Sequence, residues 1–134
     1  MAEQLVVRGL IATEPRLIEA EGDVRILSFR MAAAQRRFDS QTGKWFSDQT
    51  NWFTVSSFRK LADNSNNSLA KGDRVLVLGR LKIRDWDNGE RSGTSVEIEA
   101  EAIGHDLSFG TTEFMRAEPS GRESDDSEAE LQPA

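Results

Sequence analysis

The stretch RVLVLGRLKIRDW, residues Arg74–Trp86, decides the fold. Aliphatic residues alternate with charged ones along it, the period of two that is typical of a strand with one buried face. The residues predicted to point inward are Val75, Val77, Leu81 and Ile83. Gly79 interrupts the alternation and predicts a bend or bulge. The strand therefore carries its cations and Trp86 together on the outward face.

Four other stretches are alternating or rich in β-branched and aromatic residues and also predict strands. They are Leu5–Ile11, Val24–Met31, Trp52–Phe58 and Val96–Ile103. After the third strand, Leu61, Ala62 and Leu69 lie roughly in helical register and Gly72 is a stop signal, which predicts one short helix. Five strands with a short helix between strands 3 and 4 are the order of an all-β OB-fold barrel. The same pattern also allows a five-stranded sandwich.

Two polar segments that contain glycine, residues 32–51 and 87–95, are predicted to be hairpin loops. The aromatic residues in or beside them are Phe38, Trp45, Phe46 and Trp86. Nothing in the local pattern offers these rings a core. Several exposed aromatics beside Arg and Lys indicate a stacking surface, since bases stack on aromatic rings at about 1–3 kcal/mol each. Trp52 and Phe58 have a spacing that suits a half-buried strand and a binding face equally.

Charge is distributed unevenly along the chain of 134 residues, which has no cysteine. Residues 1–116 hold 16 of the 17 Lys and Arg and 17 of the 23 Asp and Glu, a net charge of −1. Residues 117–134 have a net charge of −5 and no hydrophobic pattern, which predicts a disordered acidic tail after one domain. The low overall pI therefore does not exclude a nucleic-acid partner. The sequence has no cysteine for disulfides, no recognisable leader and no apolar stretch long enough to span a membrane. These features favour a soluble protein of the cytoplasm.

The outward cations of the fourth strand also have an explanation without a ligand. If Ile83 lies opposite Ile98 in the fifth strand, each cation gains a glutamate. The predicted pairs are Arg80–Glu101, Lys82–Glu99 and Arg84–Glu97. Exposed pairs contribute only about 0–1 kcal/mol each and leave the cations accessible to phosphate. On charge alone, a solvated ladder is favoured over a binding face.

Catalysis finds little support in the sequence. His105 is the only histidine, no nucleophile motif lies near it, and a surface position at a strand end is expected for it. A carboxylate hydrolase would rest only on the alternating glutamates, which usually form a solvated strand face. No glycine-rich phosphate loop is present. We expect no enzymatic activity, no cofactor and no metal.

The segments QTNWFTVSSFRKLA and KGDRVLVLGRLKIRDW, residues 49–62 and 71–86, together resemble the bacterial single-stranded DNA-binding proteins. That family comprises homotetrameric OB-fold proteins of DNA replication, recombination and repair. TGKWFSDQTNWF is similar to its hairpin between strands 2 and 3, and RGLIATEPRL to its first strand and proline turn. The resemblance extends from about Leu5 to Asp106.

The resemblance implies a groove that follows single-stranded DNA without marked sequence preference. Trp52, Phe58 and Trp86 match the family's aromatic binding positions, and Phe38 represents the aromatic of the hairpin loop. With Trp45 from the same hairpin and the basic neighbourhood, the candidate DNA-binding residues are Trp52, Phe58, Trp86, Phe38, Trp45, Arg36, Arg37, Lys82 and Arg84. A location at the nucleoid follows. The alternative is an OB-fold protein-interaction module of the primosomal type with weak DNA binding.

Two departures from the family pattern affect the expected partners. Phe53 stands where many relatives have a histidine that supports subunit contacts, so the usual tetramer is not assured. The family's linker and its acidic tip with a terminal Phe are replaced by SEAELQPA. Because that tip recruits replication and repair enzymes, its absence predicts an accessory paralogue or a phage protein with doubtful tail-mediated recruitment.

Overall fold

The computed structural model describes residues 3–117, except for the side chains at positions 35–37, 47 and 48. In chain order the elements are β1 (Glu3–Ile11), β2 (Arg16–Ala20), β3 (Val24–Asp39), β4 (Lys44–Phe58), α1 (Arg59–Ser68), β5 (Arg74–Asp87) and β6 (Ser92–His105). A single 3₁₀ turn, Glu21–Asp23, joins β2 to β3. The predicted acidic tail lies outside the described residues except for Ala117. No helix within the described range has the length and apolar character of a membrane span.

All six strands belong to one sheet in the order β1-β5-β6-β4-β3-β2. Pairing is antiparallel except between β4 and β6. Because β1 also pairs with β3, through Leu10↔Ala32 and Ile11↔Met31, five of the strands form a partly closed barrel. The predicted all-β OB-type fold, with its helix between the third and fourth barrel strands, is confirmed. The sandwich alternative is wrong, since there is no second sheet in the described chain.

The barrel closes where β1 and β3 approach most tightly. A Cβ atom on Gly9 would lie 2.7 Å from Met31 Cγ and 2.8 Å from the backbone oxygen of Ala32. The absence of a side chain at this position therefore permits the two strands to meet. Beside this contact, Ala12 N donates to Arg30 O at 2.8 Å and Ile11 N donates to Asp73 O at 2.9 Å.

The core lies inside the closed part of the sheet. Its buried hydrophobic residues are Ile11, Phe29, Met31, Val55, Val75, Val77, Ile98 and Ala100, with Leu27 also fully buried. Leu61 of α1 packs against this cluster. Prediction of an inward Ile83 is wrong, because its side chain is 63% exposed. Past Leu81, which is the last residue of β5 paired with β1, β5 continues with β6 as a two-stranded arm that has no interior.

The sequence-based prediction of strands and loops is wrong in three places. The prediction omits β2, whose five residues are all exposed. Residues 32–51 are not a long loop, because β3 and β4 continue as a paired ribbon and only residues 40–43 form the turn. Likewise, only residues 88–91 separate β5 from β6. The described large apolar side chains of both ribbons, such as Phe46 and Ile83, are exposed, so the sequence of these segments shows no buried face with a period of two.

Candidate nucleic-acid interface

The outward side chains of neighbouring strands form one continuous surface, which we call the outer face. Val55 and Ile98 point into the core, so the residues before and after each of them point outward. Strand β4 lies between β3 and β6, and β6 lies between β4 and β5. The outer face comprises Arg30 of β3, Trp52, Thr54, Ser56 and Phe58 of β4, Glu97, Glu99 and Glu101 of β6, and Arg80, Lys82, Arg84 and Trp86 of β5.

Trp52 is held beside a cation on this face. Its side chain is 48% exposed, and Arg30 Cζ lies 5.5 Å from the centroid of its ring. Arg30 Nη1 also donates to Thr54 Oγ1 at 3.2 Å, which fixes the guanidinium between two positions of β4. A cation over an indole is favourable and leaves the exposed ring available to a base. Arg30 was not among the predicted site residues, although its alternation with Phe29 and Met31 marked it as outward.

Phe58 and Phe53 lie on opposite faces of β4. Phe58 is half-buried beside Ile26, its partner across the β3–β4 pair. Phe53 is half-buried and packs against the core cluster. The spacing of Trp52 and Phe58, which allowed either a core or a binding role, therefore corresponds to the outward side.

Trp86 lies over a glycine in the β5–β6 arm. Gly93 is its cross-strand partner, and a Cβ atom on Gly93 would lie only 2.9 Å from Trp86 Cζ2. The indole thus covers the bare backbone of the opposite strand and is 42% exposed. At the tip, Asn88 Oδ1 accepts from Arg91 N at 2.8 Å, and Asp87 Oδ1 accepts from Gly89 N at 2.8 Å. These bonds order the arm that carries Trp86.

The outward cations of β5 are paired with the glutamates of β6 in the predicted combinations. The distances are 3.1 Å for Arg80–Glu101, 3.8 Å for Lys82–Glu99 and 3.7 Å for Arg84–Glu97. The backbone register differs from the prediction, because Ile98 lies opposite Leu81 rather than Ile83. The pairs are therefore diagonal contacts between long side chains, which a shift of two residues permits.

The paired cations stay open to solvent. The side chains of Arg84 and Lys82 are 65% and 50% exposed. Such ion pairs are weak, so a phosphate can replace a glutamate as the partner of either cation. Each glutamate contacts a cation rather than a second carboxylate, which gives the hydrolase alternative no acid–base pair.

The β3–β4 ribbon carries the remaining predicted aromatics. The rings of Phe38 and Trp45 are tilted at 59° with centroids 5.3 Å apart, and the two side chains are 52% and 59% exposed. A register shift after Gln35 leaves these two residues opposite each other, and Phe46 opposite Arg37. Alternation therefore places Phe46 on the other side of the ribbon. Arg36 and Arg37 were also predicted as DNA-binding residues, and their side chains lie outside the described part of the structure.

His105 ends β6 as predicted, at a different place from the outer face. Its side chain is 27% exposed and Nε2 lies 3.0 Å from Asp73 Oδ2. The contact with Asp73 gives His105 a structural role at the end of β6.

Comparison with known proteins identifies relatives for most of the chain. Residues 2–106 match the model of the single-strand binding protein family. Single-stranded DNA-binding protein 2 of Tropheryma whipplei strain Twist is 50% identical over 113 residues, which cover 84% of this chain and 74% of that protein. Single-stranded DNA-binding protein 1 of Streptomyces coelicolor is 43% identical, over 81% of this chain and 69% of that protein.

Two solved structures resemble the fold described above. The crystal structure of the small single-stranded DNA-binding protein from Streptomyces coelicolor has a TM-score of 0.75 and 40% identity, over 83% of this chain and 98% of that chain. The second single-stranded DNA-binding protein of Mycobacterium smegmatis has a TM-score of 0.67 and 30% identity, over 87% of this chain and 100% of that chain.

Proposed function

This chain belongs to the single-strand binding protein family, and we propose that it binds single-stranded DNA along the outer face. It is a DNA-binding protein without enzymatic activity. The main support for this location of the DNA-binding site is the set of exposed aromatics and cations on one continuous sheet surface. Trp52 lies near one side of this surface with Arg30 above its ring, and Trp86 extends from the other side on the β5–β6 arm.

The proposed contacts divide between stacking and charge. Trp52, Phe58 and Trp86 stack on bases, and the Phe38–Trp45 pair extends the same aromatic surface along the ribbon. Arg30, Lys82 and Arg84 contact phosphates, as do Arg36 and Arg37 of the ribbon. Stacking accepts any base, so binding has no marked sequence preference.

We also propose an accessory role in replication, recombination or repair, at the nucleoid in the cytoplasm. Support comes from the names of two relatives, which are the single-stranded DNA-binding protein 2 of Tropheryma whipplei and the second such protein of Mycobacterium smegmatis. The organisation proposed is a DNA-binding domain of residues 1–116 and an acidic tail of residues 117–134. In the tail, Leu131 is the only large apolar residue, which gives a partner pocket little to bind. Tail-mediated recruitment of replication enzymes is therefore not expected.

Oligomerisation is general in this family, and a homotetramer is our proposal for this chain. Its support is an apolar patch on the outward side of β1 and β5, away from the Trp86 arm. Val6 is 60% exposed, Leu76 is 37% exposed, and Leu78 lies opposite Val6. Apolar residues gathered in this way are typical of surfaces that a second copy covers.

An electrophoretic shift with oligo-dT at two salt concentrations tests the function. We expect a retarded complex at low salt and weaker binding at high salt, because phosphate contacts release counterions. A duplex of the same length should bind less well, since its bases are already stacked and paired. No shift at low salt would contradict the proposal and favour the protein-interaction alternative, for which the neutralised cations of β5 are the supporting feature.

A further inference from the structure

Strand β2 extends the outer face beyond the surface described so far. It pairs antiparallel with β3, with Arg16 opposite Ser28 and Ile18 opposite Ile26. Across the next pair of strands, Ile26 lies opposite Phe58. Ile18, Ile26 and Phe58 therefore form one row across three strands, which we call the β2 shelf.

Alternation fixes which side of β2 belongs to the shelf. Leu17 lies opposite Leu27, which is fully buried, so Leu17 points toward the interior. Its neighbours Arg16 and Ile18 consequently point outward with Ser28 and Ile26. Ile18 is 51% exposed, and its shelf partners are half-buried. The proposed stacking residue Phe58 thus has an aliphatic surface beside it that continues to the edge of the sheet.

Charge distinguishes this side of the outer face from the β5 side. Arg80, Lys82 and Arg84 each have a glutamate partner within 4 Å. Arg16 has no such partner in the described part of the chain. Glu19 is the acidic residue of β2, and it lies opposite Arg25 on the inward side. A phosphate at Arg16 therefore does not have to displace a carboxylate.

We propose that β2 is part of the single-stranded DNA-binding surface, with a nucleobase contacting the β2 shelf and an adjoining phosphate contacting Arg16. The occupant is the same DNA strand that crosses Trp52, because the shelf is continuous with Phe58. This inference rests on the proposed function. It adds the segment Arg16–Ala20 to a site whose other residues belong to β3, β4, β5 and the hairpins.

Two variants test the proposal in the full-length chain, with oligo-dT as the probe. Ile18→Ser removes apolar contact at an exposed position, and we expect about a fivefold loss of affinity, the lower end of the range for a base contact. Arg16→Gln should reduce the slope of log K against log salt by about 0.7, the value for one phosphate contact on a single strand. The matched controls are Leu107→Ser, at another exposed aliphatic residue, and Lys71→Gln, which removes one exposed cation before β5. Both controls should bind as the parent chain does.

Trp52→Ala separates failure of this proposal from failure of the proposed function. If Trp52→Ala weakens binding while Ile18→Ser and Arg16→Gln leave affinity and salt slope unchanged, β2 is outside the site and the inference is overturned. If none of the three variants alters binding, the proposal that DNA binds along the outer face is wrong. Sedimentation of Ile18→Ser provides the remaining check. A change in assembly mass would show that a second copy covers the shelf, which also overturns the inference.

Discussion

Gly93 determines how the indole of Trp86 lies on the β5–β6 arm. With a glycine opposite, the ring covers the backbone of β6, whereas a methyl group would come within 2.9 Å of its Cζ2 atom. A side chain at this position must therefore lift or rotate the indole. The orientation of a proposed stacking residue thus depends on a neighbour that contacts no base.

We predict that Gly93→Ala weakens oligo-dT binding through Trp86. The loss should be smaller than the roughly 1–3 kcal/mol expected for Trp86→Ala, because the ring is displaced but not removed. The thermal midpoint should change little, since the arm lies outside the core. Adding Gly93→Ala to Trp86→Ala should have no further effect on affinity. An additive loss in the double variant would contradict this coupling.

Alternation predicted the outward cations of β5 correctly, although Ile83, which it placed inward, is exposed on the arm. Lys82 and Arg84 have the glutamate partners expected for them, although the assumed register was shifted by two residues. A shift of two preserves the face of every side chain, whereas a shift of one would have inverted it. Arg30 was not predicted as a candidate site residue, because its contact with Trp52 depends on pairing between β3 and β4, which composition does not reveal.

The ladder between β5 and β6 keeps three cations of the outer face partly neutralised. In the proposed complex, a phosphate has to replace a glutamate at each of these cations, which reduces the net gain from each contact. We predict that the triple variant Glu97→Gln, Glu99→Gln, Glu101→Gln binds oligo-dT more tightly. Its salt slope should become steeper by up to about 0.7 for each cation that gains a phosphate. Titrations at several salt concentrations check this, and unchanged affinity and slope would show that DNA does not contact the ladder.

Two arginine–carboxylate contacts connect elements of the barrel and predict its acid stability. Arg25 donates to Asp63 of α1 at 2.5 and 2.7 Å, and this hydrogen bonding lowers the pKa of Asp63 below 3.8. Hydrogen bonding from Arg8, at 2.7 and 3.0 Å, similarly lowers the pKa of Asp106. A carboxyl whose pKa is lower in the folded state than in the unfolded state stabilises the fold at pH values above the unfolded-state pKa. This contribution is lost as the pH falls through the folded-state pKa.

Consequently, the free energy of unfolding should decrease as the pH falls below 3.8. Asp63→Asn should lower stability at neutral pH and show a shallower decrease on the acid side, because the titrating group is absent. Urea unfolding at neutral and acidic pH measures both effects. Glu113→Gln, at an exposed carboxyl after β6, is the matched control. Equal acid dependence of Asp63→Asn and the parent chain would contradict the assignment.

At the element level, the sequence predicted the strands that face the core and missed those that do not. Strands containing Leu27, Val55 and Val75 have one buried face, so their period is visible. Both sides of β2 and of the ribbon around Phe38 face solvent extensively, and their pairing depends on backbone hydrogen bonds and turn geometry. The sequence nevertheless contains a turn signal between β2 and β3, the dipeptide Gly22-Asp23. Glycine and aspartate tolerate a positive φ, and the two residues have φ angles of 76° and 60°.

For the whole molecule, the apolar patch around Val6 predicts self-association. Sedimentation at micromolar concentration should show an oligomer, a tetramer by the proposal above. Val6→Asp should reduce its mass, because burying a carboxylate in the interface is unfavourable. Glu3→Gln, on the same strand, should leave the mass unchanged. A monomeric parent chain would contradict the proposal.

Stacking of single-stranded DNA on the aromatics of the outer face is the basis of the proposed function. Titration of tryptophan fluorescence with oligo-dT, comparing the parent chain with the double variant Trp52→Ala, Trp86→Ala, tests it most directly. We expect saturable quenching in the parent chain. By gel shift, the affinity loss should be about 1–3 kcal/mol for each ring removed, with the fold intact by circular dichroism. A folded double variant that binds oligo-dT as tightly as the parent chain would contradict it.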